Sequence, residues 1–192
     1  MSAWIRMLSD EEAGGDLLEA LALARTPHGT VDNVMRVHSL RPSTLRGHVT
    51  LYRAALHDDA NALPAWLQEC LASYVSILND CAYSLANHWA NACHLIGDDD
   101  RADRIEAALS ACRPEDAFEG RDLALMRYAE KLTRWPGDME RADVDALFAA
   151  GLDDGEILEA NQIVGYFNYV NRCLNGLGVT TDGDVVGYYA AS

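Results

Sequence analysis

The sequence predicts an all-α fold of about eight helices. Three observations carry that reading. Apolar residues recur at the helical period, Pro and Gly fall between the periodic segments, and no segment alternates between hairpin turns as a strand pair would. Of 192 residues, 49% are hydrophobic and 23% charged, a globular balance that excludes a disordered chain. No linker, low-complexity segment or internal repeat divides it. We read residues 1–192 as a single domain, with a core over about 40–175 and a coil tail over 176–192.

The elements follow in order. After Pro42, Leu45, Val49, Tyr52 and Leu56 form an amphipathic stripe. Pro64 stands where a first helical turn tolerates it and opens the next helix. The acidic Asp98-Asp99-Asp100 suits a positive helix start ahead of Ile105, Ala108, Leu109 and Cys112. Leu125, Tyr128, Ala129 and Leu132 mark a helix closed by Trp135-Pro136-Gly137. Val144, Leu147 and Phe148 mark another, ending at Gly151. Asp153 with Glu156 forms a capping arrangement before a helix over 157–174. The Gly-, Asp- and Thr-rich tail reads as coil with an extended Val185-Val186.

Charge narrows the partners. Lys plus Arg total 15 against 30 Asp plus Glu, a formal net charge of -15. Such a surface repels phosphate backbones and anionic membranes, so neither nucleic acid nor membrane is expected as a partner. No apolar run approaches the roughly 20 residues that span a bilayer. The N-terminus lacks a basic start and apolar h-region, which predicts a cytoplasmic protein. Five cysteines in such a chain do not form a disulfide framework and default to buried thiols.

Residues 71–96 carry the candidate chemistry. Leu71, Tyr74, Val75, Leu78, Ala82, Leu85, Trp89, Ala92, Cys93 and Ile96 fall within a ~100° sector and predict core. Beside that stripe, Cys81, Ser84 and His88 share one helix edge. Just before them stands Asn79-Asp80, a pair that favours helix caps. A break there would place Cys81 in a first turn, where the helix dipole favours a thiolate. On one straight helix Glu69 would point ~120° away from Cys81. The break instead lets two helix ends converge and brings Glu69 to His88, where a carboxylate fixes the imidazole's tautomer.

Glu69, followed by Cys81-Ala-Tyr-Ser84-Leu-Ala-Asn-His88, resembles the active-site pattern of the AhpD-like alkylhydroperoxidases, within the carboxymuconolactone decarboxylase-like superfamily. That pattern is a Glu, eleven residues, then Cys-x-x-Cys-x-x-x-His. Glu69, Cys81 and His88 match in type and spacing, and Ser84 stands in place of the second cysteine. The segment from Ser39 to Arg46 resembles the helix before the family's core. Asn168-Tyr-Val-Asn171-Arg172 with Leu174-Asn-Gly-Leu-Gly178 resembles the closing segment of the "peroxidase-related" branch. The resemblance implies an all-helical homo-oligomer (dimer, trimer or hexamer). It also implies antioxidant reduction of hydroperoxides by a thiol pair, with Glu and His as a proton relay and a cellular thiol as reductant. In the family the second cysteine attacks the peroxide and the first resolves it; some members lack the pair and act as lactone decarboxylases.

Ser84 changes what the resemblance implies. A serine oxygen does not climb the sulfur oxidation ladder and cannot close a disulfide with Cys81. Three readings stay open. Cys81 acts as a single peroxidatic cysteine assisted by His88 and Glu69, with Ser84 orienting the peroxide; this is the reading placed first. Alternatively the site is inactive and the protein is an oligomeric scaffold or small-ligand binder. In the third, Ser84, His88 and Glu69 perform lactone or acyl chemistry, although no Gly-rich elbow surrounds Ser84.

Each residue also has a plainer structural reading. Cys81 alone reads as a buried small residue, His88 as a hydrogen-bonded core histidine, Glu69 as a solvated helix residue and Ser84 as a hydroxyl bonding the preceding turn. His28, His38, His48 and His57 read as structural or exposed. Asn161, Asn168, Asn171 and Asn175 read as a polar network tying the last helix to a neighbour or to another subunit. No prosthetic group is implied. No Cys-x-x-Cys or His-Glu-x-x-His appears, so no metal is expected.

Overall fold

The computed structural model describes residues 2–189. Among the described residues the chain forms nine α-helices and no strand. In chain order they are α1 (Asp16–Leu23), α2 (Asn33–Arg36), α3 (Pro42–Leu56), α4 (Ala65–Leu78), α5 (Ala82–Ile96), α6 (Asp99–Ser110), α7 (Gly120–Arg134), α8 (Arg141–Ala149) and α9 (Asp154–Leu177). Short 3-10 turns at Pro114–Asp116 and Pro136–Asp138 flank α7.

Local sequence explains most of the boundaries. Pro42 occupies the first turn of α3, where its missing N–H costs nothing. Asp98 caps α6 by accepting from the Arg101 N–H. Asp153 and Glu156 form the reciprocal capping box of α9, with the Glu156 N–H bonded to Asp153 Oδ1 at 2.9 Å and the Asp153 N–H to Glu156 Oε2 at 3.0 Å. Helix α9 runs on to Leu177, so the coil tail begins at Gly178 rather than 176; residues 190–192 of that expected coil lie outside the described residues.

Helix α4 is the centre of the bundle. Ten consecutive residues, from Leu67 to Ser76, are buried, because α5, α6, α7 and α9 pack around it. A helix enclosed on all sides must be apolar or small all round, and Leu67, Leu71, Ala72, Ser73 and Val75 are. Glu69 is buried because its helix is central.

A smaller apolar cluster of Leu17, Ala20, Leu21, Met35, Leu45 and Val49 lies between α1, α2 and α3. Val34 and Tyr52 pack against both it and the main core. The tail crosses back over this seam. Asn33 Nδ2 donates to the carbonyls of Thr180 and Asp182, and the Thr180 N–H donates to the Ser2 carbonyl at 2.9 Å. No helix of the described residues is long and apolar enough to cross a membrane.

Candidate functional site

The break expected at Asn79-Asp80 is present. Helix α4 stops at Leu78 and Asp80 takes a left-handed conformation (φ 51°). The Asp80 N–H bonds to the Ile77 carbonyl and the Cys81 N–H to the Ser76 carbonyl, which is a Schellman stop. Asp80 thus ends α4, and Cys81 is the N-cap residue of α5, its carbonyl accepting from the Leu85 N–H. The sharp reversal folds α5 back along α4 and sets His88 against Glu69.

Glu69 and His88 form a dyad. His88 Nδ1 lies 2.6 Å from Glu69 Oε2. Asn91 Nδ2, one helical turn on, donates to Glu69 Oε1 at 3.2 Å. Both carboxylate oxygens therefore have donors, and the side chains are nearly closed to solvent, 3% exposed for Glu69 and 12% for His88. The His88 ring stands edge-on to Phe167, with centroids 4.6 Å apart, which fixes its plane. With its Nδ1 proton given to Glu69, a neutral His88 keeps an unprotonated Nε2.

His88 and Ser84 line a cavity of about 320 Å³ in the seam between the two apolar clusters. Its walls come from α3 (Val49, Tyr52, Arg53), α5 (Tyr83, Ser84, Asn87, His88, Asn91), α9 (Tyr166, Val170, Leu174) and the loop after α1, with Gly187 and Tyr188 of the tail across it. The Gly187 N–H donates to Asn87 Oδ1 and the Tyr188 N–H to Asn91 Oδ1, so two amides of α5 hold the tail in place. His57, expected to be structural or exposed, stacks on Tyr188 and stands edge-on to Tyr52 on this wall. Its Nε2 is buried and, among the described residues, has no hydrogen-bond partner.

The aromatic wall is uncharged. Burial raises the Tyr52 and Tyr166 phenols well above their ordinary value, and the Glu69 charge adds to both. Burial lowers His57, against the pull of Glu69.

Ser84 faces the cavity but is not bonded to His88. Its hydroxyl shares a 2.8 Å hydrogen bond with Ser76 Oγ, which is also 2.7 Å from the Ala72 carbonyl. Ser84 Oγ accepts from the Ser76 hydroxyl, and the Ala72 carbonyl competes for that one proton. Among the described residues no hydrogen bond joins Ser84 to His88, as a serine–histidine–carboxylate triad needs.

Cys81 does not join the dyad. Its side chain is 1% exposed and it does not line the cavity. Burial pushes its thiol up, the Ser84 N–H aimed at the sulfur works against this, and the Asp80 carboxylate adds to the rise. The expected lowering of this thiol by a helix start and an imidazole is therefore reversed. The helix start does supply one N–H, but desolvation outweighs it and the imidazole stands on the cavity side.

The asparagine network is as expected. Asn175 Nδ2 donates to the Asn79 carbonyl, Asn79 Nδ2 to Asn168 Oδ1, and Asn171 Nδ2 to Ser76 Oγ, which ties α9 to the end of α4. Sequence reasoning missed Asn87, Asn91, His57 and Tyr166. Asn87 and Asn91 had a readable signal, since they stand beside His88 and one turn after it. Among the described residues no group of three or more His, Cys, Asp or Glu is placed to hold a metal ion.

No family model and no curated protein matches the sequence. Solved structures do match in shape. An AhpD-core, peroxidase-related protein from Ralstonia eutropha JMP134 superposes with a TM-score of 0.81 at 20% identity, over 96% of this chain and 94% of that one. A peroxidase-related protein from Silicibacter sp. TM1040 gives 0.81 at 21% identity, over 98% and 95%. The debrominase Bmp8 with a cysteine replaced (C82A), in complex with 2,3,4-tribromopyrrole, gives 0.73 at 15% identity, over 92% and 90%. Over nearly its whole length, the chain has the AhpD-like fold of the peroxidase-related proteins.

Proposed function

We propose that this protein is a cofactor-independent acid–base catalyst acting on a small ring compound in the α3/α5/α9 cavity, with His88 as general base and Glu69 as its positioning carboxylate. The observation that carries the reading is the 2.6 Å His88–Glu69 contact on a cavity wall where serine, not cysteine, faces inward. Glu69 holds the imidazole in the tautomer whose Nε2 can take a proton. Asn91 holds Glu69. A ligand seated against the buried Tyr52 and Tyr166 would displace water from the dyad, which strengthens the dyad's field on it. A volume of about 320 Å³ fits a ring-sized molecule at the lower end of ligand sites. The debrominase of the same fold has a three-bromine pyrrole bound, a ligand of that size class. This is the lactone-type branch of chemistry without a cysteine pair, with His88 rather than Ser84 doing the work.

A second reading keeps hydroperoxide reduction through Cys81. The Ser84 N–H aimed at its sulfur favours it. Burial of the thiol opposes it. The homo-oligomeric state and the thiol reductant belong to that family-based reading, and light scattering tests the former.

One experiment separates the two readings. Nitrobenzisoxazole ring opening probes a base in an apolar site and needs no cofactor; a panel of small unsaturated lactones tests the natural chemistry. His88→Gln should lower the rate by about 10²-fold or more, the ordinary contribution of a general base. Glu69→Gln should lower kcat with little change in KM, and Cys81→Ser should leave the rate unchanged. Peroxide consumption with dithiothreitol that vanishes in Cys81→Ser, alongside no base-dependent turnover, would replace the first reading with the second.

A further inference from the structure

His38, His48 and Tyr166 take no part in the dyad, yet they form a hydrogen-bonded chain from the surface to the cavity wall. Tyr166 Oη lies 2.9 Å from His48 Nε2, His48 Nδ1 lies 3.0 Å from His38 Nε2, and His38 Nδ1 lies 3.2 Å from Thr44 Oγ1. Thr44 is exposed on the first turn of α3, and its hydroxyl donates its one proton to the Arg41 carbonyl at 2.9 Å.

That last bond sets the direction of all the others. Thr44 Oγ1, with its proton given away, accepts from His38, so His38 carries a proton on Nδ1. A neutral His38 then has a bare Nε2, which accepts from His48 Nδ1–H. His48 Nε2 is bare in turn and accepts from the Tyr166 hydroxyl. Burial keeps both imidazoles neutral; it lowers His38, and it lowers His48 to about 3 with help from His38. The Tyr166 proton is therefore committed to His48, and toward a ligand in the cavity that Tyr166 lines its oxygen can act only as an acceptor. His88 has the same polarity, because its Nδ1 proton is committed to Glu69.

We propose that the cavity selects small rings carrying a weakly acidic O–H or N–H, such as a phenol or an enol, which donates to Tyr166 Oη, and that the Tyr166–His48–His38 chain carries a proton released there outward. The ligand's proton passes to Tyr166 Oη as the Tyr166 proton passes to His48 Nε2. His48 Nδ1–H passes to His38 Nε2, and the His38 Nδ1 proton leaves to solvent at the exposed Thr44. The ligand is left as its anion, and no electrons change hands. A ring with an ether in place of the hydroxyl sets lone pair against lone pair and is rejected. The choice of ligand rests on the proposed function for the part His88 plays as an acceptor. The direction of the chain does not.

The test uses the full chain and reads no turnover. Nitrogen NMR on histidine-labelled protein at about pH 6 should show His48 neutral with its proton on Nδ1. Calorimetry should show para-nitrophenol binding at least about tenfold more tightly than para-nitroanisole, the cost of leaving one acceptor unpaired. Tyr166→Phe should bring the two affinities together. His48 protonated on Nε2, or the anisole binding as well as the phenol in wild-type protein, would overturn the proposal even if Tyr166→Phe does not fold. Correct polarity without base-dependent ring opening would instead sink only the proposed function.

Discussion

Sulfur or oxygen at one position decides which chemistry the site can do, and here oxygen holds the position that faces the cavity. Ser84 cannot store an oxidising equivalent, and its oxygen accepts from the Ser76 hydroxyl. Cys81, three residues earlier, can store one but is buried away from the cavity, with its thiol raised by desolvation. The thiolate is the reactive form, so a raised, enclosed thiol reacts slowly. We expect iodoacetamide at neutral pH to modify the partly exposed Cys93 and Cys173 before Cys81, by at least about tenfold in rate, with Cys81 becoming reactive on unfolding. Peptide mapping by mass spectrometry against time checks this. Cys81 as the first site labelled would show a low-pKa thiol and restore the peroxidase reading.

At the scale of elements, the α4–α5 reversal makes the site, and much of it was legible. Asn79-Asp80 interrupts an otherwise continuous apolar stripe, and the spacing of Glu69 to His88 makes sense only with a break between them. Not legible was the sense of the interruption. Asp80 ends α4 in a left-handed conformation, and the capping position of α5 passes to Cys81. Helices α1 and α2 were not individually read either, although Leu17, Ala20 and Leu21 carry a short helical stripe that is buried against α3. The contributions of His57, His48 and Tyr166 could not be read from spacing, because they come from α3, its C-terminal end and α9, and only tertiary packing gathers them. A left-handed Asp pays a steric cost that Gly does not. Asp80→Gly should therefore stabilise the protein by about 0.5–1 kcal/mol, net of the extra freedom Gly has when unfolded. Urea unfolding should show a higher midpoint with an unchanged slope; a loss of stability would mean that the Asp80 side chain supports the turn.

At the scale of the whole molecule, the tail couples the two ends of the chain to the dyad. Tyr188 is tied through its N–H to Asn91, Asn91 to Glu69, and Glu69 to His88, so tail position and His88 orientation share one set of hydrogen bonds. Further back, Asp184 accepts from the Tyr83 hydroxyl at 2.6 Å and from the Asn33 N–H, and Asp32 lies close enough for the two carboxylates to repel. Burial first, and the Asp184 charge second, raise Asp32 from 3.8 to about 6, and burial raises Asp184 as well. Because the folded state holds these protons more tightly than the unfolded state, their contribution is greatest at low pH. It is lost as pH rises from the ordinary carboxyl value through about 6. Asp32→Asn keeps an acceptor for Thr30 and removes the charge. Its gain in Tm over wild type should therefore be small at about pH 4.5 and larger at about pH 7.5. Differential scanning calorimetry of both proteins at the two pH values measures that difference directly. An equal gain at both would show that Asp32 does not hold its proton in the folded protein, and that the tail is docked without strain between the two carboxylates.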